Sequence, residues 1–221
     1  MPASLTPPRG DSSRPKAPAG LSGPNASRSD PSPAGVPAIL AVVGLAGAGK
    51  SEAARLLVDR YGYCAVYFGG IVVGEVQRRG LPLQPANERA VREELRAAEG
   101  MDAIARRSIR PIRDHLDSGE KVVIDGLYST AELARLRAEP GWDVVTLAVH
   151  APRWLRKRRL RDRAVRPLTA QEVDERDWFE LTNLDKAPPI VLADLHVVND
   201  GGADQLGENI YKSIKCFMDE S

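Results

Sequence analysis

From residue 38 onward, short apolar runs alternate with longer stretches whose apolar positions recur every three or four residues. Residues 38–43, Ala-Ile-Leu-Ala-Val-Val, are uninterrupted, as a strand covered on both faces of a parallel sheet requires. Residues 50–61 place Ala53, Ala54, Leu56, Leu57 and Val58 at helical spacing, and residues 64–68 read as a second strand. A charged amphipathic helix is expected over 87–99, capped by Asn87 and stopped by Gly100. Another is expected over 101–118, bent at Pro111 and stopped by Gly119. Residues 122–125 form the next strand. Ser129 and Glu132 then make a capping box that opens a helix to residue 139. Residues 144–149 read as a strand, and Pro152 stands where helices begin. Thr169 and Glu172 make a second capping box, leading the helix that carries Trp178 and Phe179. A last short strand over 195–198 and a closing helix over 203–218 complete the pattern, which holds no internal repeat. Such alternation predicts an α/β fold: a three-layer sandwich around a mainly parallel sheet.

The first 37 residues break that pattern. They hold nine Pro, seven Ser and four Gly with no aromatic residue, so they cannot bury enough apolar surface to repay ordering their backbone. They read as a disordered tail ahead of one domain over 38–221, which is long enough for a single well-buried core. The 221-residue chain carries 31 basic and 30 acidic residues, a net charge of +1, and the tail accounts for +2 of that balance. A near-neutral domain argues against a dedicated nucleic-acid binder. No apolar run approaches the ~20 residues of a membrane span. Neither is there the apolar segment of a secretory signal, so a cytoplasmic location is expected. Cys64 and Cys216 make no disulfide framework, and His115, His150 and His196 show no ligand spacing along the chain.

The decisive chemistry lies in Gly44, Leu45, Ala46, Gly47, Ala48, Gly49, Lys50 and Ser51, which fit G-x-x-x-x-G-K-[ST] between a buried strand and a helix. Glycines there let successive backbone N–H groups turn inward around a phosphate, and the helix start that continues into Glu52 adds its positive dipole end. Lys50 can reach the β- and γ-phosphates, and the Ser51 hydroxyl can ligate Mg²⁺. Asp125 ends an apolar strand at the sheet edge where α/β proteins bind ligands, so it is a second candidate for Mg²⁺ or for the acceptor. Alone, it reads equally well as the cap of the following turn. Residues 153–166 hold eight basic residues and one acid. If helical throughout, they place Arg156, Arg159 and Arg163 on one face, suited to clamping a transferring phosphoryl group. A solvated basic face and a nucleic-acid patch are the competing readings, the latter weakened by sparse aromatic residues. The loop Asn199-Asp-Gly-Gly202 could line a purine ring.

Taken together, these motifs resemble the P-loop nucleotide kinases and dephospho-CoA kinases. More narrowly, residues 38–215 are similar to a family of predicted nucleotide kinases found in archaea and bacteria. The likeness is carried by Arg92-Glu-Glu-Leu-Arg96 through Ala105, Val123-Ile-Asp-Gly126, Val149-His-Ala151, Glu175-Arg-Asp177 and Ala193-Asp-Leu-His-Val-Val-Asn199. The resemblance implies a five-stranded parallel sheet and binding of ATP with Mg²⁺ by Gly47, Gly49, Lys50 and Ser51. It also implies a mobile lid around residues 156–166, within an Arg-rich segment over 153–168. Arg159 and Arg163 match lid arginines, Arg176 matches one that approaches the phosphates, and Asn199 lies at the base. Related kinases often place an Asp and an Arg where this chain has Gly70 and Val73, so the acceptor is left open, with Arg92 or Arg96 as substitute cations. The expected activity is ATP-dependent phosphoryl transfer to an unidentified small-molecule acceptor. An ATP- or GTP-binding switch or slow hydrolase acting on a protein partner, and an RNA-associated NTPase, stand as alternatives. No oligomeric state is implied.

Overall fold

The computed structural model describes residues 36–220. Apart from Val36 and Pro37, the tail read over residues 1–37 lies outside the described residues. Strand β1 (Ile39–Val43) leads through a glycine-rich loop into helix α1 (Lys50–Tyr61), and β2 (Tyr63–Tyr67) follows. Three helices come next: α2 (Phe68–Arg78), α3 (Pro85–Glu99) and α4 (Ala103–Asp117). Strand β3 (Lys121–Asp125), α5 (Thr130–Arg137) and β4 (Val144–His150) then alternate. After them come α6 (Arg153–Arg161), α7 (Ala170–Asn183), the short α8 (Ala187–Val191), β5 (Leu195–Val198) and α9 (Ala203–Glu220).

The strands form one five-stranded sheet in the order β2-β3-β1-β4-β5, parallel at every pairing. Each central strand sends alternate side chains to opposite faces. Ile39, Ala41 and Val43 join Ile124, Val72, Val91, Ile112 and Leu136 on one face. Leu40 and Val42 join Val123, Leu57, Leu206, Ile210 and Ile214 on the other. Burial on both sides explains why β1 reads as an unbroken apolar run. Helices α1 and α9 cover the second face; α2 to α5 and α8 cover the first. Connections from β1 and β3 therefore leave toward opposite faces, which opens a crevice between the C-terminal ends of two neighbouring strands.

Several sequence expectations shift. Phe68 begins α2 instead of ending β2, because Phe68, Val72 and Val76 pack into the core despite three glycines in the helix. Asn87 lies inside α3 and bonds Pro82 O through its side chain, while Gln84 takes the cap position. Helix α4 runs through Pro111, and Gly119 follows in the left-handed conformation, as its stop signal requires. The Thr169–Glu172 capping box is fully formed.

Candidate functional site

Two glycines explain the path of the loop after β1. Gly44 has φ +141°, and a Cβ there would meet Val149 O at 2.4 Å. Gly49 has φ +103°, and its Cβ would fall 2.1 Å from Asn199 Nδ2. Neither position tolerates a side chain. A turn closed by Ala48 N–H to Leu45 O, at 3.2 Å, carries the loop to Gly49, the N-cap of α1. No side chain caps that helix start, so its first-turn N–H groups stay available to an anion.

Neighbouring elements hold the loop from behind. The Arg156 guanidinium donates to Ala46 O at 3.0 Å and forms a two-pronged buried pair with Asp177, at 3.0 and 2.6 Å. Ala46 also packs with Leu160 and Val173, fixing α6 and α7 to the loop. From the other side, Asn199 Nδ2 donates to Ala48 O at 2.8 Å. Asn199 Oδ1 and O accept from Arg159, at 3.2 and 3.0 Å. Asn199 and Arg159 thus buttress the loop.

Lys50 Nζ reaches back across the loop to Leu45 O, at 3.2 Å. Burial, then the charge of Lys186, pulls its pKa from 10.5 to about 7. Glu180, Asp125 and Arg176 also act on it electrostatically, so these groups gather at one place. Lys186 donates to Glu180 at 2.5 Å, Arg176 donates to the other oxygen at 2.9 Å, and Lys186 Nζ lies 4.3 Å from the centre of the Tyr128 ring. Burial opposes the Glu180 charge, yet Lys186 and Arg176 hold its pKa down to about 2. Asp125 ends β3, in register with Val42 beside the loop and with Tyr67 on β2. Sequence reasoning missed Lys186, Glu180 and Tyr128. A lysine six residues beyond a glutamate carries no motif, and the pairing depends on α7 ending between them.

Beyond this cluster, Tyr67, Phe68, Val72, Arg92, Arg96 and Tyr128 line a cleft. Arg96 Nη2 lies 3.3 Å from the buried Glu132 carboxylate, while its buried Nε has no hydrogen-bond partner among the described residues. Gly70 lies beneath the Tyr67 side chain, and Val73 stands on the same helix. A larger, mostly apolar cavity of about 210 Å³ lies behind the loop, and His150 and Arg156 are among its lining residues.

The basic segment departs from the expected single face. Helix α6 stops at Arg161, so Arg163 lies beyond it in an exposed stretch and is not in line with Arg156 and Arg159. Arg156 is committed to Asp177 and the loop carbonyl, which removes it as a clamp for the moving phosphoryl group. Arg153 and Lys157 pair with Asp174, Arg161 pairs with Asp162, and Arg166, at φ +57°, pairs with Glu88 of α3. Ser51 is exposed in the first turn of α1, and Glu52 pairs with Arg55 at 2.6 Å on the surface.

The AAA domain family matches residues 43–175. The chain is 32% identical over 185 residues to a UPF0200 protein of Thermococcus onnurineus, covering 82% of this chain and 99% of that one. It is 34% identical to a UPF0200 protein of Thermococcus kodakarensis, over 80% and 96% of the two chains. Among solved structures, TT1252 from Thermus thermophilus is similar with a TM-score of 0.57 at 21% identity, over 82% of this chain and 97% of that one. A gluconokinase from Sinorhizobium meliloti 1021 is similar at 0.53 and 15%, over 84% and 95%. Both share the α/β fold. No helix among the described residues is long and apolar enough to cross a membrane.

Proposed function

From a chain that belongs to the AAA domain family, and with its relatives to the UPF0200 proteins, we propose an ATP-dependent phosphotransferase that moves the γ-phosphoryl group to a small acceptor. One observation carries this reading. The phosphate loop and a cleft lined by Arg92, Arg96 and the buried Glu132 flank the same group of positive charges: Lys50, the buried Lys186 and the half-exposed Arg176. A kinase needs a second substrate site there; a simple nucleotide switch does not.

In this reading the N–H groups of residues 44–51 hold the polyphosphate, with Lys50 drawn from Leu45 O onto the β- and γ-oxygens. The Ser51 hydroxyl and Asp125 carboxylate are hard oxygen donors suited to Mg²⁺, whose charge offsets that of the polyphosphate. Arg176 and Lys186, fixed by Glu180, present positive charge to the equatorial oxygens as the acceptor oxygen bonds to the γ-phosphorus and the bond to the β–γ bridging oxygen breaks. ADP carries away the broken bond's electron pair. Arg92 and Arg96 orient an anionic acceptor, and Asp125 orients its attacking oxygen. Little covalent help is needed, since positioning and charge neutralisation supply most of the acceleration.

A slow NTP hydrolase is the second reading, favoured by Gly70 and Val73, which offer no charge to an acceptor phosphate. The RNA-associated reading loses ground because carboxylates pair with much of the basic segment. Labelled ATP and a panel of acceptors, scored against hydrolysis without acceptor, decide between transfer and hydrolysis. Acceptor-independent release at the same rate throughout would overturn the kinase reading.

A further inference from the structure

At the N-terminal ends of the strands, opposite the end that carries the phosphate loop, the fold brings Cys64 beside His115 and Glu120, which lie more than fifty residues further along the chain. Cys64 sits at the start of edge strand β2, His115 in the last turn of α4, and Glu120 just before β3. Their ligand atoms all lie within 4.8 Å of one another. His115 Nδ1 is 2.6 Å from Glu120 Oε2, and the Cys64 thiol hydrogen-bonds to the same carboxylate. We propose that Cys64, His115 and Glu120 form a binding site for a borderline divalent metal ion, namely Zn²⁺.

Backbone structure presets the arrangement. At the end of α4, Glu120 N–H bonds to His115 O at 3.0 Å and Gly119 N–H to Leu116 O at 2.9 Å. With Gly119 at φ +76°, this is a Schellman turn, and it folds Glu120 back beside His115. Parallel pairing of β2 with β3, Cys64 opposite Val122, brings in the thiol. Two of the three ligands are therefore positioned by hydrogen bonds that owe nothing to an ion.

The donor set selects the metal. One thiolate, one imidazole nitrogen and one carboxylate oxygen suit Zn²⁺, whereas Mg²⁺ and Ca²⁺ prefer oxygen alone. Zinc bond lengths place neighbouring ligand atoms of a tetrahedral site about 3.3–3.6 Å apart, within reach by small side-chain rotations. On binding, the Cys64 thiol gives its proton to solvent and the sulfur takes the metal in its place. The thiolate and carboxylate balance the dication. His115 and Glu120 side chains are 37% and 46% exposed, which leaves room for water as the fourth ligand. The ion would tie α4 to an edge strand whose far end carries Tyr67 of the cleft.

Tag-free full-length protein, dialysed against chelator and titrated with Co²⁺ without nucleotide, tests the site. One equivalent should produce visible d–d bands and a thiolate-to-cobalt charge-transfer band in the near ultraviolet, which Mg²⁺ leaves unchanged. Cys64→Ser, checked for native circular dichroism, should lose that band, and Cys216→Ser should keep it. Even losing an outer-shell partner typically weakens a metal site about 10–100-fold, so His115→Ala or Glu120→Ala should weaken Zn²⁺ by roughly 100-fold or more. Zn²⁺ should raise the melting temperature of the parent but not of Cys64→Ser. Absence of the band, its appearance only at millimolar metal, or its persistence in Cys64→Ser would overturn the proposal.

Discussion

Lys186 Nζ lies 2.5 Å from the Glu180 carboxylate, with the two side chains 1% and 5% exposed. This pair stands beside Lys50, and Arg176 shares the carboxylate. Burying two opposite charges roughly breaks even, but removing one leaves the other without compensation. The pair is better understood as holding Lys186 and Arg176 in place than as a source of stability.

Glu180→Gln should therefore cost about 3–5 kcal/mol, read from the urea midpoint at unchanged slope. Adding Lys186→Met should recover much of that loss. A loss below about 1 kcal/mol in the single variant, or strictly additive losses in the double, would show that the two charges are not coupled.

Lys50 gives a pH signature. Its folded pKa is depressed to about 7 by burial, then by Lys186, against 10.5 unfolded. Between those values the unfolded chain binds more protons, so stability of the nucleotide-free protein should rise from pH 7 toward 10.5. Lys50→Met should raise the melting temperature at pH 7 by a few degrees, flatten that rise and abolish transfer. A less stable variant with the parental pH slope would refute the burial argument.

Nucleotide binding should reverse the same shift, since a polyphosphate favours charged Lys50. At pH 8 close to one proton should be taken up per ATP bound, and at pH 6 very little. Calorimetry in buffers of different ionisation enthalpy measures this directly. No net uptake at pH 8 would mean that Lys50 is already charged in the free protein.

How far the sequence speaks depends on whether a feature is local. The unbroken apolar β1, the Gly44–Ser51 motif and the Thr169–Glu172 box are set by neighbours in the chain, and they fold as expected. Helix α2 was hidden because its glycines and β-branched residues have low helix propensity, which packing of Val72 and Val76 overrides. The end of α6 at Arg161 was equally hidden, since nothing in a run of arginines marks a stop. Leu168 N–H bonds to Leu160 O at 3.0 Å, folding the segment back. Arg156 looked like a free cation because its partner Asp177 lies in a different helix. Lys186 and Glu180 were illegible for the reason already visible in their geometry: buried charge pairing is a property of the fold.

Asn199 offers the sharpest separation between a loop that merely turns and one that supports nucleotide. Both ends of its amide are engaged, Nδ2 donating to Ala48 O at 2.8 Å and Oδ1 accepting from Arg159 at 3.2 Å. Asn199→Asp keeps the volume and the Arg159 contact but turns a donor into an oxygen facing the Ala48 carbonyl. The loop must then move or a buried acceptor goes unpaired, at a cost of about 1–3 kcal/mol. If the preformed loop binds ATP, that cost should appear as a rise in Kd of roughly 5–150-fold. Asn199→Ala removes both bonds without repulsion and should weaken ATP less than Asn199→Asp. Equal ATP affinity in the parent and both variants would show that the β5 loop does not set the geometry of the phosphate loop.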